Sequence, residues 1–271
     1  MSKKLKMLSF YFYLLLLTIL LLGTTLISTI RATVLRPNYI INNLEKINYY
    51  DKVYNSINEE MQNYLIQSGL TSEVLTNIYT KEDIKNSLNN AIYTFYNNKK
   101  VSVDTNNVKT NLEDNINNYL IKHNIVITEK EGLDLFVKQM EEIYTNEIMI
   151  SSKINNFNVY LAKVIKLADI AIIVLGITTL VLLVFGYFFY RKNILTISLA
   201  SAGELLVLSN YLLFNKIDVK NILFWSDNIS LVIKTVIQDM SSKIYFLGFS
   251  FIITAIIFEI VYYVTRKNKV R

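Results

Sequence analysis

The residue whose type and place most invite chemistry is Glu204, within the stretch SLASAGELLVLSN at Ser198–Asn210. It is the eleventh residue of a 21-residue apolar run, Ile194–Phe214, that holds no other acid or base. At the centre of a bilayer an ionised carboxylate costs about 2.5–3.5 kcal/mol even on a lenient insertion scale, so it calls for a proton or a partner. No Lys, Arg or His lies at matching depth in the other apolar runs, whereas Thr18, Thr178, Thr179 and Thr254 fall near their middles and offer hydroxyls. Two chemistries follow. Glu204 accepts and releases a proton or meets a passing cation, or it keeps its proton through desolvation and staples helices together. The small residues Ser198, Ala200, Ser201, Ala202 and Gly203 favour the stapling role, because they let another helix approach closely around the acid.

The remaining titratable residues read as boundary or surface groups. Glu259 stands near the end of the fourth apolar run, within snorkelling reach of Arg266 or Lys267, and Asp169 stands at the mouth of the second. His123 is the only histidine. It can build neither a multi-histidine zinc site nor a triad without a nucleophile, and it suits a helix C-terminus or core packing. The pairs Glu59–Glu60, Glu113–Asp114 and Glu141–Glu142 are adjacent, so they diverge on a helix instead of converging on a metal. There is no cysteine, which removes thiolate chemistry and disulfides, and no phosphate-cradling, zinc-protease, serine-hydrolase or calcium-loop motif is present. No cofactor is expected, and no catalytic set.

The elements that position these residues are helices. The composition, 52% hydrophobic with one proline and seven glycines, points to long helices, and Leu8–Ile30, Leu167–Tyr190, Ile194–Phe214 and Ile244–Thr265 are each long enough to cross a hydrocarbon core of about 30 Å. The fold class expected is an all-α integral membrane protein. It has four transmembrane helices and a large helical extracytoplasmic domain, residues 31–166, between the first and second.

Charge sets the expected orientation. Lys3, Lys4 and Lys6 precede the first run, Arg191 and Lys192 lie in the turn after the second, and Arg266, Lys267, Lys269 and Arg271 follow the fourth. With the N-terminus cytoplasmic, all three clusters fall on the cytoplasmic side of a cell membrane, as the positive-inside bias requires. Pro37–Lys166 carries 13 lysines and no arginine against 16 acids, a net of −3. The overall +6 is therefore a topology signal and not a nucleic-acid surface. The 23-residue first run exceeds a signal-peptide core of about 7–15 residues and reads as an uncleaved signal anchor.

Within the expected outer domain, helical spacing runs from Ile40 through Leu44, Ile47, Val53, Ile57 and Met61 to Leu65, stopping at Gly69. A second helix opens at Thr80 with Asp83 as its capping-box acid, and a third follows Asp104 or Thr105 and ends near Asn124. A fourth opens at TEKE, Thr128–Glu131, and could run through Ser151–Asn158 into the second span. Residues 215–243 form an outer loop bearing a helix, with Trp225, the only tryptophan, as an interface anchor. That helix could lie in the interface, pack on the outer domain or extend the fourth span outward.

The order of one span, a large outer domain, then three spans with a basic inner turn resembles FtsX- and MacB-type permeases, in span order only and without a shared motif. That resemblance implies an ATP-binding-cassette ATPase as partner and force transmission to an outer domain. The Arg191–Asn193 turn is short for an ATPase-docking element. The rich Asn, Ile, Lys and Tyr content is similar to that of four-span membrane proteins of low-GC Gram-positive bacteria. The functional expectation is a non-enzymatic membrane protein whose outer domain binds a protein partner or senses envelope state, alone or as a homo-oligomer. The alternative is a small transporter or channel component using Glu204.

Overall fold

The computed structural model describes residues 3–126, 130–149, 157–190, 194–216 and 227–268, and among them every regular element is a helix. Four helices are long and apolar enough to cross a membrane. The chain divides into two compact units, Pro37–Ala162 and the pair of segments Met1–Arg36 and Lys163–Arg271.

The second of these holds the four apolar helices: α1 (Lys3–Ala32), α7 (Phe157–Tyr190, which enters this unit at Lys163), α8 (Ile194–Lys216) and α9 (Asp227–Asn268). Without water to satisfy backbone groups, a helix is the conformation that closes all its own hydrogen bonds, and no proline interrupts these four. All four outrun the expected spans, two of them by ten residues or more. α7 begins ten residues before Leu167, and α9 is a single helix of 42 residues, about 63 Å at 1.5 Å per residue. The helix expected at Asp227 and the fourth span are thus one element, because nothing between Ile229 and Thr265 breaks the backbone ladder. Residues 217–226, including Trp225, and the turn carrying Arg191 and Lys192 lie outside the described residues.

The other unit is a helical domain of α2 (Pro37–Lys46), α3 (Tyr49–Ser68), a 3-10 turn (Ser72–Leu75), α4 (Lys81–Tyr96), α5 (Asn106–Lys122) and α6 (Lys130–Ile148). Pro37 opens α2, where a missing N–H costs nothing. The single helix expected from Ile40 to Leu65 is in fact two. Asn48 adopts a left-handed φ of 52° and breaks the ladder, a turn that hydropathy spacing does not record. Asparagine does this repeatedly: Asn98 and Asn124 also take positive φ after α4 and α5. There the Lys99 N–H donates to the Thr94 carbonyl and the Ile125 N–H to the Leu120 carbonyl, each at 3.0 Å, closing Schellman-type ends. Gly69, at φ 76°, ends α3 as expected.

Thr80 and Asp83 form the expected capping box. The Thr80 hydroxyl accepts from the Asp83 N–H at 3.1 Å, and the Asp83 carboxylate accepts from the Thr80 N–H at 2.8 Å. At α5 the Asp104 carboxylate accepts from the Asn106 N–H at 3.0 Å, while the Thr105 hydroxyl turns instead to Glu141 of α6. Thr128, the expected cap of the TEKE signal, lies outside the described residues, as does any continuation of α6 through residues 150–156.

Ile57, Met61, Ile84, Leu88, Leu112, Ile116, Met140 and Ile148 form a dry core. Tyrosines extend it: the Tyr79 hydroxyl donates to Asn58 at 2.6 Å, and its ring lies 5.4 Å from that of Tyr144. Asn115 clamps the connection between α3 and α4, donating to the carbonyls of Val74 and Thr76 at 3.2 and 2.7 Å.

Burial holds these phenols neutral. Tyr49 and Tyr79 are raised above their ordinary value, first by desolvation and then by neighbouring groups, Glu147 for Tyr49 and Tyr54 for Tyr79. Tyr50 is pushed up to about 12 by burial and then by Glu45, and Tyr96 to about 12 by burial. A group raised on folding stabilises the folded state below its unfolded value and loses that contribution as pH climbs. These phenols are therefore expected to add no pH dependence below about pH 10 and to cost the helical domain stability progressively towards pH 12. Tyrosinate absorbance followed with far-ultraviolet circular dichroism checks this: late ionisation coincident with helix loss is the expected result.

Candidate functional site

The surroundings of Glu204 are set by its neighbour. A Cβ added at Gly203 would lie 2.7 Å from the Gly248 carbonyl oxygen and 2.8 Å from Ile252 Cγ1, so α8 and α9 touch backbone to backbone at this point. Gly248 returns the contact, with Val207 Cγ2 2.8 Å and the Gly203 carbonyl 3.0 Å from the place its own Cβ would take. Small residues on both helices are what permit such an approach in lipid, where dispersion replaces the hydrophobic drive.

With Gly203 against α9, the rest of α8 is oriented. Ser198, Ala202, Leu206 and Asn210, spaced by four, form the buried ridge. Glu204, one residue and about 100° on from Gly203, is exposed. Among the described residues no hydrogen bond or ion pair engages it. The small-residue patch does receive a helix, as expected, but on the side away from the acid. None of the described helices covers Glu204.

Of the four hydroxyls expected to serve Glu204, two donate to their own helices and none bonds the acid among the described residues. Thr178 is exposed and donates to the Val174 carbonyl at 2.7 Å, and Thr254 donates to the Ser250 carbonyl at 2.7 Å. Thr18 is buried, and Thr179 is buried with no hydrogen-bond partner for its oxygen among the described residues.

A polar site that spacing did not reveal is Asn210, 1% exposed, whose side-chain amide donates to the Ser241 carbonyl of α9 at 3.0 Å. Its own carbonyl oxygen has no protein partner among the described residues, and neither does the hydroxyl of buried Ser198. Both sit on the buried ridge, and the α8–α9 pair is held by close packing with a single side-chain hydrogen bond across it among the described residues.

A groove of about 700 Å³ runs between α1 and α9. Its α1 wall is a column of hydroxyls, Thr24, Thr25, Ser28, Thr29 and Thr33, and its α9 wall carries Phe246, Leu247 and Phe251 with Asp239 and Lys243. The threonines donate to their own helix: Thr24 to Leu20, Thr25 to Leu21, Thr29 to Thr25 and Thr33 to Thr29, at 2.6–2.8 Å. That satisfies the hydroxyl protons and leaves oxygen lone pairs as acceptors along the wall. Asp239 and Lys243 pair at 2.9 Å, one helical turn apart. The volume is that of a small-molecule site. In the same half of α1, Arg31 donates from Nε to Asp169 of α7 at 2.6 Å, giving Asp169 a structural role at the edge of the apolar segment. Glu204 does not line this groove.

Of the expected anchors, Lys4 and Lys6 are exposed in the first turns of α1, with Lys3 at its start, and Arg266 and Lys267 close α9. His123 caps the C-terminus of α5, exposed, with its ring 4.4 Å from that of Tyr119. In the helical domain the unexpected feature is apolar exposure. Ile121, Ile125 and Val126 at the end of α5, Ile66 near the end of α3 and Leu135 near the start of α6 are all exposed. The Lys122–Glu73 pair at 2.9 Å and the stacked rings of Tyr64 and Phe136 bring these helix ends to one end of the domain.

Compared with known proteins, the chain matches no family model, no curated protein and no solved structure.

The Gly203–Gly248 contact is expected to be intolerant of any side chain. Gly203→Ala should destabilise the four-helix unit by about 1–3 kcal/mol through overpacking. Gly176→Ala, where an added Cβ meets nothing within 4 Å, should be neutral or slightly stabilising. Thermal unfolding of both variants in detergent, followed by size-exclusion profile, checks the contrast.

Proposed function

We propose that this chain is a non-enzymatic, four-span membrane protein that displays its helical domain outside the cytoplasm to bind a protein partner, by which it senses or organises the cell envelope. The observation that carries this reading is the apolar end of the helical domain. A domain whose core is already closed still leaves Ile121 at 76% and Val126 at 85% exposure, beside Ile125, Ile66 and Leu135. Exposed apolar side chains gathered at one end of a domain favour an interaction surface. The acidic balance of Pro37–Lys166 and the basic residues flanking α1 and α9 support placing the domain outside and both termini in the cytoplasm. α7 supplies residues to both units, which supports passing a binding event into the membrane by displacement of one helix.

A photoreactive amino acid at Ile121 or Val126 of the full-length protein, irradiated in native membranes, is expected to give one adduct of defined mass. The same probe at exposed Asn97, at the other end of α4, is expected to give none. Ile121→Lys should abolish the adduct formed from Val126 without altering folding, since surface substitutions shift stability by only about 0.5 kcal/mol. Equal labelling at all three positions, or no adduct at any, contradicts a partner surface here.

A further inference from the structure

We propose that α8 is a self-association surface, on which Ile197, Ser201, Glu204, Leu208 and Tyr211 form a seam that packs against the same seam of a second copy, the two Glu204 carboxyls hydrogen-bonding across the twofold axis. The inference rests on the four helices crossing a bilayer and is independent of what the helical domain binds.

The seam is defined by spacing and exposure together. Its five residues step by 4, 3, 4 and 3 along α8, which keeps them on one stripe of a helix packed against another at a shallow angle. Ile197, Leu208 and Tyr211 are 40%, 53% and 54% exposed, Glu204 is exposed and Ser201 half-buried. The stripe lies on the opposite side of α8 from the buried ridge of Ser198, Ala202, Leu206 and Asn210. α9 cannot cover it, because Gly203 and Gly248 already fix the face of α8 that α9 occupies.

Lipid is a sufficient cover for isoleucine, leucine and tyrosine but not for a carboxyl in mid-span. The chemistry of that group selects its partner. A neutral carboxyl carries one O–H donor and free acceptor positions, so two of them satisfy each other. A parallel twofold pair places Glu204 opposite Glu204 at equal depth by symmetry, which no other pairing guarantees. The four apolar runs supply no lysine, arginine or histidine at that depth. A single polar residue within an apolar 4–3 repeat is also the pattern that fixes register in paired helices.

The chain has no cysteine, so single cysteines introduced into the full-length protein report unambiguously. In native membranes, oxidative cross-linking is expected to give disulfide dimers from Ile197→Cys, Ser201→Cys, Leu208→Cys and Tyr211→Cys. None is expected from Ile173→Cys on α7 or Ile256→Cys on α9, both exposed positions. Adding Glu204→Leu should lower the dimer yield from Leu208→Cys about threefold or more, while Glu204→Gln, whose amide both donates and accepts, should retain it. The four cysteine variants keep the native carboxyl, so they test the seam even if Glu204→Leu fails to accumulate. Four results overturn the proposal: cross-linking equal at the control positions, an undiminished dimer with Glu204→Leu, an adduct with a different protein, or a disulfide within one chain between Thr178→Cys and Leu208→Cys.

Discussion

The contact on which the membrane unit depends is the meeting of Gly203 and Gly248, where two helix backbones approach closely enough to exclude a methyl group. It does two things at once. It locks α8 to α9 in the absence of a hydrophobic drive, and it fixes the rotation of α8 about its own axis. Every other statement about α8 follows from that rotation: the ridge of Ser198, Ala202, Leu206 and Asn210 turns inward, and Glu204 turns outward. An acid that composition would place in a bundle core thereby becomes a surface group.

The bilayer then sorts the remaining polar groups by what can satisfy them. Hydroxyls are cheap, because Thr24, Thr25, Thr29 and Thr33 each return a proton to a carbonyl one turn back and ask nothing of another helix. Charges are kept to the edges: Arg31 pairs with Asp169, and Asp239 with Lys243. Such partly exposed pairs contribute about 1 kcal/mol or less each, so they position helix ends more than they hold the unit together. The groove between α1 and α9 inherits both kinds of group, an acceptor-lined wall and a charged pair. Glu204 fits neither category, and that is what makes its face of α8 informative.

Much of this was legible in the sequence where local chemistry decides the outcome. The four apolar runs, the Thr80–Asp83 capping box and the Gly69 stop are each specified within a few residues, and each stands in the structure. What escaped were features set by tertiary contact or by backbone conformation. The break between α2 and α3 turns on one asparagine in a left-handed conformation, while the apolar spacing carries on undisturbed across it. The small residues of α8 announced a close helix contact, but side chains on both faces are small, and only Gly248 of α9 shows which face is used. The stripe of four beginning at Ser198 and the i, i+4 pair Asp239–Lys243 were present in the sequence and could have been found by counting. The exposed apolar end of the helical domain could not, since Ile121 and Ile116 look alike until the fold buries one and not the other.

The chain combines a helical domain whose end exposes apolar side chains with a unit of four apolar helices, one of which exposes a carboxyl. The rotation of α8 is the claim that organises the rest, and oxygen-driven spin relaxation tests it directly. Nitroxides placed singly from Ile197 to Tyr211, in protein diluted to monomer in detergent micelles, should show collision maxima at positions 197, 204, 205, 208 and 211. Minima are expected at 198, 202, 206 and 210. Maxima at 198, 202 and 206, or a profile without periodicity, would contradict it.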